Sequence, residues 1–344
     1  MSDVPASETV TLDEVFEIAR GVLLAHGFSA EHAAAIARTA RAAEADECRH
    51  HGLFRLPFYV SALRAGQASG DAMPSLSSLA PSVLRCDANG GFAPLALEMA
   101  EQPLAERAAA QGIAALALVG QNHIGPLWPE VERLAQRGLV VFAFVSALPY
   151  VAPAGGTKPL FGTNPMAFGW PRSEGPPLVF DQASSGSSRG EIQIRLRDGQ
   201  SIPEGWAIDA DGNPTTDPQA ALAGAQLPFG GAKGSSIALM IELLAGPLIG
   251  EVLSMEAQVR DKAGAGTAAS GELIVAMDPA RFVPGGNRAA QTTHGERLFQ
   301  QILGQEGARL PSDRRYAARA RTARDGVTLA PLLRETLRDL GAKL

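Results

Sequence analysis

Through the first part of the chain apolar residues recur every three or four positions, the period of helices with one buried face. The segment TLDEVFEIARGVLLAHG places Thr11 and Glu14 at capping-box spacing and stops at Gly27. A second helix is expected from about Ser29 through EHAAAIARTARAAEADE, and RLPFYVSALRAG starts a third with Pro57 in its first turn. From about Val83 the period changes. Short β-rich runs, VLRCDA, GIAALALVG, GLVVFAFVSA and PLVFDQA, alternate with helical stretches across FAPLALEMAEQPLAERAAAQ and PLWPEVERLAQRG, which predicts an α/β sheet domain with buried strands. Residues 196–228, rich in Gly, Pro, Asp and Asn, read as loops. SSIALMIELLAGPLIG then reads as an apolar helix and GELIVAMDP as a last strand. HGERLFQQILGQ, DRRYAARARTA and LAPLLRETLRDLG read as late helices that pack back on the first ones. The expected division is a helical domain from both chain ends, residues 1–82 and 286–344, around an α/β region over residues 83–285.

Composition narrows the function classes. With 46% hydrophobic and 19% charged residues over 344 positions, the chain is globular rather than disordered. A net charge of -6 with scattered Lys and Arg gives no basic footprint, so no nucleic-acid partner is expected. MSDVPASETV has no apolar leader core, and no apolar run approaches the ~20 residues of a bilayer span, so no membrane partner is expected either. Cys48 and Cys86 cannot form a disulfide framework in a chain this size, which fits a reducing, cytoplasmic setting.

Several motif matches fail on context. AGAGTAA, Ala263 to Ala269, satisfies GxGxxA from Gly264 but precedes a strand and opens no helix, so it is not a Rossmann turn. GGAKGSS, Gly230 to Ser236, has Lys before Gly and is not a P-loop; DADGN, Asp209 to Asn213, is a turn rather than a calcium loop. Cys48, His50 and His51 have metal-binding side chains, but adjacent histidines diverge and no second Cys/His cluster completes a tetrahedron, so no metal is expected.

Three features survive. Arg55 follows His51 by four residues, a spacing that brings a guanidinium near an imidazole and suits a substrate carboxylate held beside an acid/base group. VGQNHIGPLWPE sets His123, Ile124 and Gly125 between an apolar strand and a helix N-terminus, where α/β proteins bind ligands. LFGTNPMAFG and LPFGGAKGSS are glycine-rich turns that offer backbone N–H groups, Thr163, Lys233 and Ser235 to a phosphate. Together they point to a small acidic substrate and a dinucleotide held without the Rossmann fingerprint.

HHGLFRLPFY, NHIGPLWPEVE, LFGTNPMAFG, VFDQASS, PFGGAKGSS and RLPSDRRY together resemble the malate/L-lactate dehydrogenase-like NAD(P)-dependent oxidoreductases, over nearly the whole chain. Within that family the chain looks most like the Δ1-piperideine-2-carboxylate/Δ1-pyrroline-2-carboxylate reductases. The resemblance implies a non-Rossmann dinucleotide-binding sheet domain flanked by a helical domain from both termini. It also implies a homodimer, and NADPH rather than NADH as cofactor. It makes His51 the active-site histidine, Arg55 the clamp for the substrate carboxylate, and His123 the histidine beside the nicotinamide. The cofactor-lining positions it implies are His123, Ile124, Gly125, Ser146, Thr163, Asp181, Ala183, Ser184, Gly231, Lys233, Pro311, Ser312, Asp313 and Arg314.

The departures bear on substrate class. In the family's imine reductases a Ser precedes the active-site His and a later Asp completes a relay; here those positions read His50 and Glu191. The hydroxy-acid members carry Lys at the latter position. A carboxylate suits a protonated imine, because a nearby negative charge keeps the nitrogen cationic for hydride attack on carbon. The family's GGHKG reads GGAKG, with Ala232, and its PHG turn reads APAGG, with Ala154, which removes two polar groups expected near the ligands. The expected activity is NADPH-dependent reduction of a small cyclic imino acid. A 2-hydroxy-acid dehydrogenase acting through a 2-keto acid is the alternative, and a non-catalytic dinucleotide-binding protein a third.

Overall fold

The computed structural model describes residues 8–261 and 270–344; the AGAGTAA segment lies outside them. Strand β1 (Glu8–Val10) leads into α1 (Leu12–Ala25), whose Thr11 and Glu14 close the expected capping box, and α2 (Ala30–Ala45) starts on the Ser29 side chain. Two 3-10 turns, Arg49–His51 and Leu53–Arg55, feed α3 (Leu56–Arg64). Strands β2 (Ser75–Ala80) and β3 (Val83–Asp87) form a hairpin before α4 (Ala93–Gln111). The chain continues through β4 (Ile113–Val119), α5 (Trp128–Gln136), β5 (Val140–Val145), β6 (Met166–Trp170) and β7 (Leu178–Gln182). Residues 196–228 are not simply loops: α6 (Arg189–Arg197) runs into them, followed by β8 (Ala207–Ile208), β9 (Pro214–Thr215), α7 (Pro218–Ala223) and β10 (Ala225–Gln226). The three short strands form a sheet of their own, with the DADGN turn at the β8–β9 corner held by Asp209 Oδ1 accepting from Asp211 and Asn213 N–H. After α8 (Ala232–Ala245) and α9 (Ser254–Arg260) come β11 (Glu272–Met277), α10 (Arg288–Leu303), α11 (Asp313–Asp325), β12 (Val327–Leu329) and α12 (Pro331–Asp339).

The main sheet runs β2-β3-β4-β11-β5-β6-β7, and every pair is antiparallel except β3–β4. The β4–α5–β5 segment has the sequence pattern of a parallel crossover, but β11 inserts between its strands, with Glu272 opposite Leu118 on one side and Val145 on the other. That insertion puts a carboxylate beside the loop leaving β4, where a Rossmann domain would have its phosphate turn. Helices α4 and α5 cover one face through Leu97, Leu104, Leu127, Val131 and Leu134; α8 covers the other through Ile241 and Ala245.

Val10, Leu329 and Leu337 share a core with Val15, Ile36 and Leu53, so the last strand and helix do pack on the first helices. Helix α10 instead packs on the far end of the sheet, where Phe299 joins Leu178 and Leu310. Ala232–Ile249 is 18 residues of mean hydropathy 1.4, long and apolar enough by length and composition alone to cross a bilayer, a longer apolar run than the sequence reading allowed; it is not one unbroken helix, because α8 ends at Ala245 and Pro247 restarts the chain as a 3-10 turn.

Candidate active site

The segment between α2 and α3 is shaped by one buried carboxylate. Glu44 Oε1 accepts from Leu53 N–H at 2.9 Å, and a Cβ on residue 52 would collide with the same carboxylate, so Gly52 is the residue that lets the two 3-10 turns fold over it. Burial pushes the Glu44 carboxyl up to about 7. A raised carboxyl stabilises the fold fully below its unfolded value near ~4.3, and that contribution is lost as pH rises through about 7. Glu44→Gln is therefore expected to flatten the decline in melting temperature between pH 5 and 8, removing a term on the order of 3 kcal/mol. Equal slopes for the two proteins would show that Glu44 does not titrate there.

On these turns the His50 and His51 rings sit 4.4 Å apart. Burial, then the nearby Arg55, lowers His50 to about 4; burial, then His50, Arg55 and His123, holds His51 well below the ordinary histidine value. Both imidazoles are neutral at neutral pH. The Ile124 backbone partners His51, while its Nδ1 is buried with no hydrogen-bond partner among the described residues. Arg55 donates from Nε to the His50 carbonyl at 2.6 Å and lies 5.1 Å from the Phe58 ring centre and 5.7 Å from that of Phe54. Burial lowers the Arg55 guanidinium only to about 10, so it stays charged. No carboxylate pairs with it among the described residues. Gly190, in the first turn of α6, is what admits that helix: a Cβ there would lie 2.8 Å from an Arg55 guanidinium nitrogen.

The loop leaving β4 supplies the opposite wall. Asn122 N–H donates to the Gly91 carbonyl and Gly120 N–H to Glu251, which fix the loop before His123. His123 is buried, with Nδ1 3.3 Å from Glu272 Oε2, an ion-pair contact too misaligned for a hydrogen bond. Asp181 accepts from the Leu127 N–H at 2.8 Å and from that of Trp128, capping the start of α5. Trp128 meets the His51 ring edge-on at 6.1 Å, and the Arg315 guanidinium lies over the same indole at 4.8 Å. These walls enclose a cavity of about 730 Å³.

The sequence model of the malate/L-lactate dehydrogenase family matches residues 10–338. The chain belongs to that family. A Δ1-pyrroline-2-carboxylate/Δ1-piperideine-2-carboxylate reductase from Pseudomonas aeruginosa is 50% identical over 95% of this chain and 98% of its own. The crystal structure of a Δ1-piperideine-2-carboxylate reductase from Pseudomonas syringae superposes with a TM-score of 0.90 at 40% identity, covering 97% of this chain and 99% of that one. A malate dehydrogenase from Entamoeba histolytica shares the fold at TM-score 0.90 with 21% identity, covering 98% of each chain.

Of the positions the family resemblance implied, His50, His51, Arg55, His123, Ile124, Gly125, Thr163, Asp181, Ala183 and Glu191 all line the cavity. Ser146 and Ser184 are buried just behind it, and Ser184 donates to the Thr163 carbonyl. Gly231 and Lys233 are exposed at the start of α8, and Pro311, Ser312, Asp313 and Arg314 form a turn that contributes no wall; the next residue, Arg315, does. Ser312 is spent on the sheet, exchanging hydrogen bonds with both backbone groups of Val179. Ala154 and Ala232 are also exposed and away from the cavity, so their missing polar groups do not alter its lining. Glu191 pairs with Arg195 one turn on, at 3.0 Å, so the charge that the sequence left free is shared with a cation. Cys48 lies 3.7 Å from His50 Nε2, and burial pushes its thiol up to about 12, which keeps it unreactive.

Among the cavity residues that went unnoticed in the sequence are Tyr150, Arg189 and Arg315. Arg189 sits 3.8 Å over the Tyr150 ring. Arg315 stands one place beyond the RLPSDR turn, and a helix-face argument from Ser312 would have reached it.

A nicotinamide dinucleotide, which the family resemblance implies, fits what is present. The cavity size lies within the ~300–1,000 Å³ of ligand pockets, and Trp128 Nε1 and Ser146 Oγ are buried polar atoms with no partner among the described residues. Arg189, Arg315, Thr163 and the amides opening α6 are the groups that would hold its polar parts.

Proposed function

We propose that the protein reduces cyclic 2-imino acids, Δ1-pyrroline-2-carboxylate and Δ1-piperideine-2-carboxylate, to L-proline and L-pipecolate, using NADPH in preference to NADH. The observation that carries the reading is the unpaired, desolvated Arg55 cation flanked by two neutral imidazoles, in a chain 50% identical to a reductase of both imines. Arg55 binds the substrate carboxylate in a bidentate pair, and Phe54 and Phe58 keep water from that pair. The bound nicotinamide supplies hydride to the imine carbon. His51 holds or moves the proton of the ring nitrogen through its unpartnered Nδ1. Pairing with Arg195 leaves less of the Glu191 charge to the substrate, so the choice of imine over keto acid rests on the 50% identity to the imine reductase, while Arg55 accounts for the carboxylate that both substrate classes carry.

The His123–Glu272 contact favours a second reading, a 2-hydroxy-acid dehydrogenase in which a carboxylate-backed histidine is the acid/base. NADPH oxidation with the two cyclic imines, pyruvate and oxaloacetate side by side separates them, with Glu191→Lys as a further variant. Turnover of the imines alone is expected; turnover of the keto acids alone would transfer the protein to the second reading. A homodimer is part of the proposal. Leu239, Met240, Leu243, Leu248, Met255 and Val259 expose one apolar face along α8 and α9 that a second copy would cover, and a monomer by sedimentation would remove that part. The two free cysteines suit a cytoplasmic setting.

A further inference from the structure

Behind the active-site histidine lies a second, smaller cavity of about 260 Å³. His123 and Gly125 line both cavities and so form the partition between them. The outer rim of the smaller one carries Arg38 and Arg137, half-exposed and paired with Glu98 and Glu101, so it opens to solvent without presenting a free cation. Its inner wall carries Glu130, only 5% exposed, whose Oε1 has no hydrogen-bond partner among the described residues. Glu272 adjoins Glu130, is fully buried, and has neither carboxylate oxygen hydrogen-bonded, although its Oε2 lies 3.3 Å from His123 Nδ1.

Two adjoining buried carboxylates with oxygens left without hydrogen bonds are costly to keep when both are charged. We propose that Glu130 and Glu272 form a proton relay that recharges His123 from solvent through the second cavity, so that the substrate cavity need not open to water between hydride and proton transfer. This rests on the second reading's assignment of His123 as the acid/base group for the one proton that each reduction consumes. The proton balance closes. When His123 gives a proton into the substrate cavity, its ring turns to align the 3.3 Å contact with Glu272 into a hydrogen bond, its Nδ1 takes a proton from Glu272, Glu272 takes one from Glu130, and Glu130 takes one from water in the second cavity. Burial, reinforced by Glu272 and Asp181 and opposed by Arg133, holds the Glu130 carboxyl well above the usual range, which keeps it protonated and able to donate. His51, Asp181 and Glu272 are the ionisable groups facing His123.

Glu130 acts through another residue, so the test must separate relay from structure. Glu130→Gln keeps the shape and removes the exchangeable acid. The expected result is a kcat lowered about 10- to 100-fold with KM within about twofold, a larger solvent deuterium isotope effect, and partial rescue of Glu130→Ala by formate small enough to enter the second cavity. Ring ¹⁵N chemical shifts of His123 in the free protein are expected to differ between the wild type and Glu130→Gln. An unchanged kcat would overturn the relay, as would a lowered kcat with no isotope change and no rescue. If the wild type reduces none of the four substrates, the functional reading fails, and the chemical-shift comparison alone decides whether Glu130 reaches His123.

Discussion

Replacing Arg55 by methionine is expected to lower kcat/KM for Δ1-piperideine-2-carboxylate by about 10²- to 10³-fold while leaving the melting temperature unchanged or slightly raised. The two halves of that result come from one fact. Arg55 is charged, enclosed and without a carboxylate partner among the described residues, so the free protein holds a desolvated cation that only a ligand anion can compensate. Losing one partner of a buried charge pair costs roughly 2–5 kcal/mol of binding, and each ~1.4 kcal/mol is tenfold. Methionine fills the slot between Phe54 and Phe58 without needing a counter-charge. Its structural cost is the hydrogen bond from Arg55 Nε to the His50 carbonyl, worth about 1 kcal/mol. Arg55→Lys should fall between, since an ammonium keeps the charge but not the two-pronged geometry. Steady-state kinetics beside thermal melts check both halves, as does a substrate-like pyridine-2-carboxylate that should raise the melting temperature of the wild type only. A melting temperature that collapses with activity would make Arg55 a structural residue.

What the sequence made legible follows from how local each signal is. Thr11, Glu14 and Ser29 announce their helices because capping is decided within three residues. The strands β4, β5 and β11 are buried on both faces and read as continuous apolar runs. Strand β6 was hidden: Gly162, Pro165 and Gly169 make its neighbourhood look like a turn, yet Gly169 is there because a Cβ would press on Val131 of α5. Strands β1 and β12 pair the two chain ends, an arrangement no local window contains. At the site, His51 and Arg55 lie within one motif and were legible together. Tyr150, Arg189 and Arg315 come from three separate elements and meet only in the fold. The Arg195 partner of Glu191 was hidden for a related reason. The sequence assigned no element to residues 189–195, and the i,i+4 pair becomes visible only with α6 in place.

A large loss of stability is expected from substituting Arg319. Its guanidinium makes two bonds to Asp46 of the α2 C-terminus, at 2.8 and 2.9 Å, and two to Glu132 of α5, at 2.7 and 3.0 Å. Both carboxylates are nearly inaccessible, at 0% and 7% of side-chain exposure, so Arg319→Met strands two buried negative charges near each other. Breaking such a pair costs about 3–5 kcal/mol when fully buried. Arg319 is itself 37% exposed, and solvent screening brings the expectation to about 2–4 kcal/mol in urea unfolding. Adding Asp46→Asn and Glu132→Gln to Arg319→Met should recover most of the loss, because the damage lies in the uncompensated charges and not in the missing side chain. The effect also reaches the site. Arg315 precedes Arg319 by one turn on the same face of α11 and is the residue that stacks on Trp128 at the cavity wall. Loosening α11 should therefore raise KM for the dinucleotide in the single variant and restore it in the triple. A single variant as stable as the wild type would mean that water reaches Asp46 and Glu132, and that α11 is held on α2 and α5 by its apolar contacts alone.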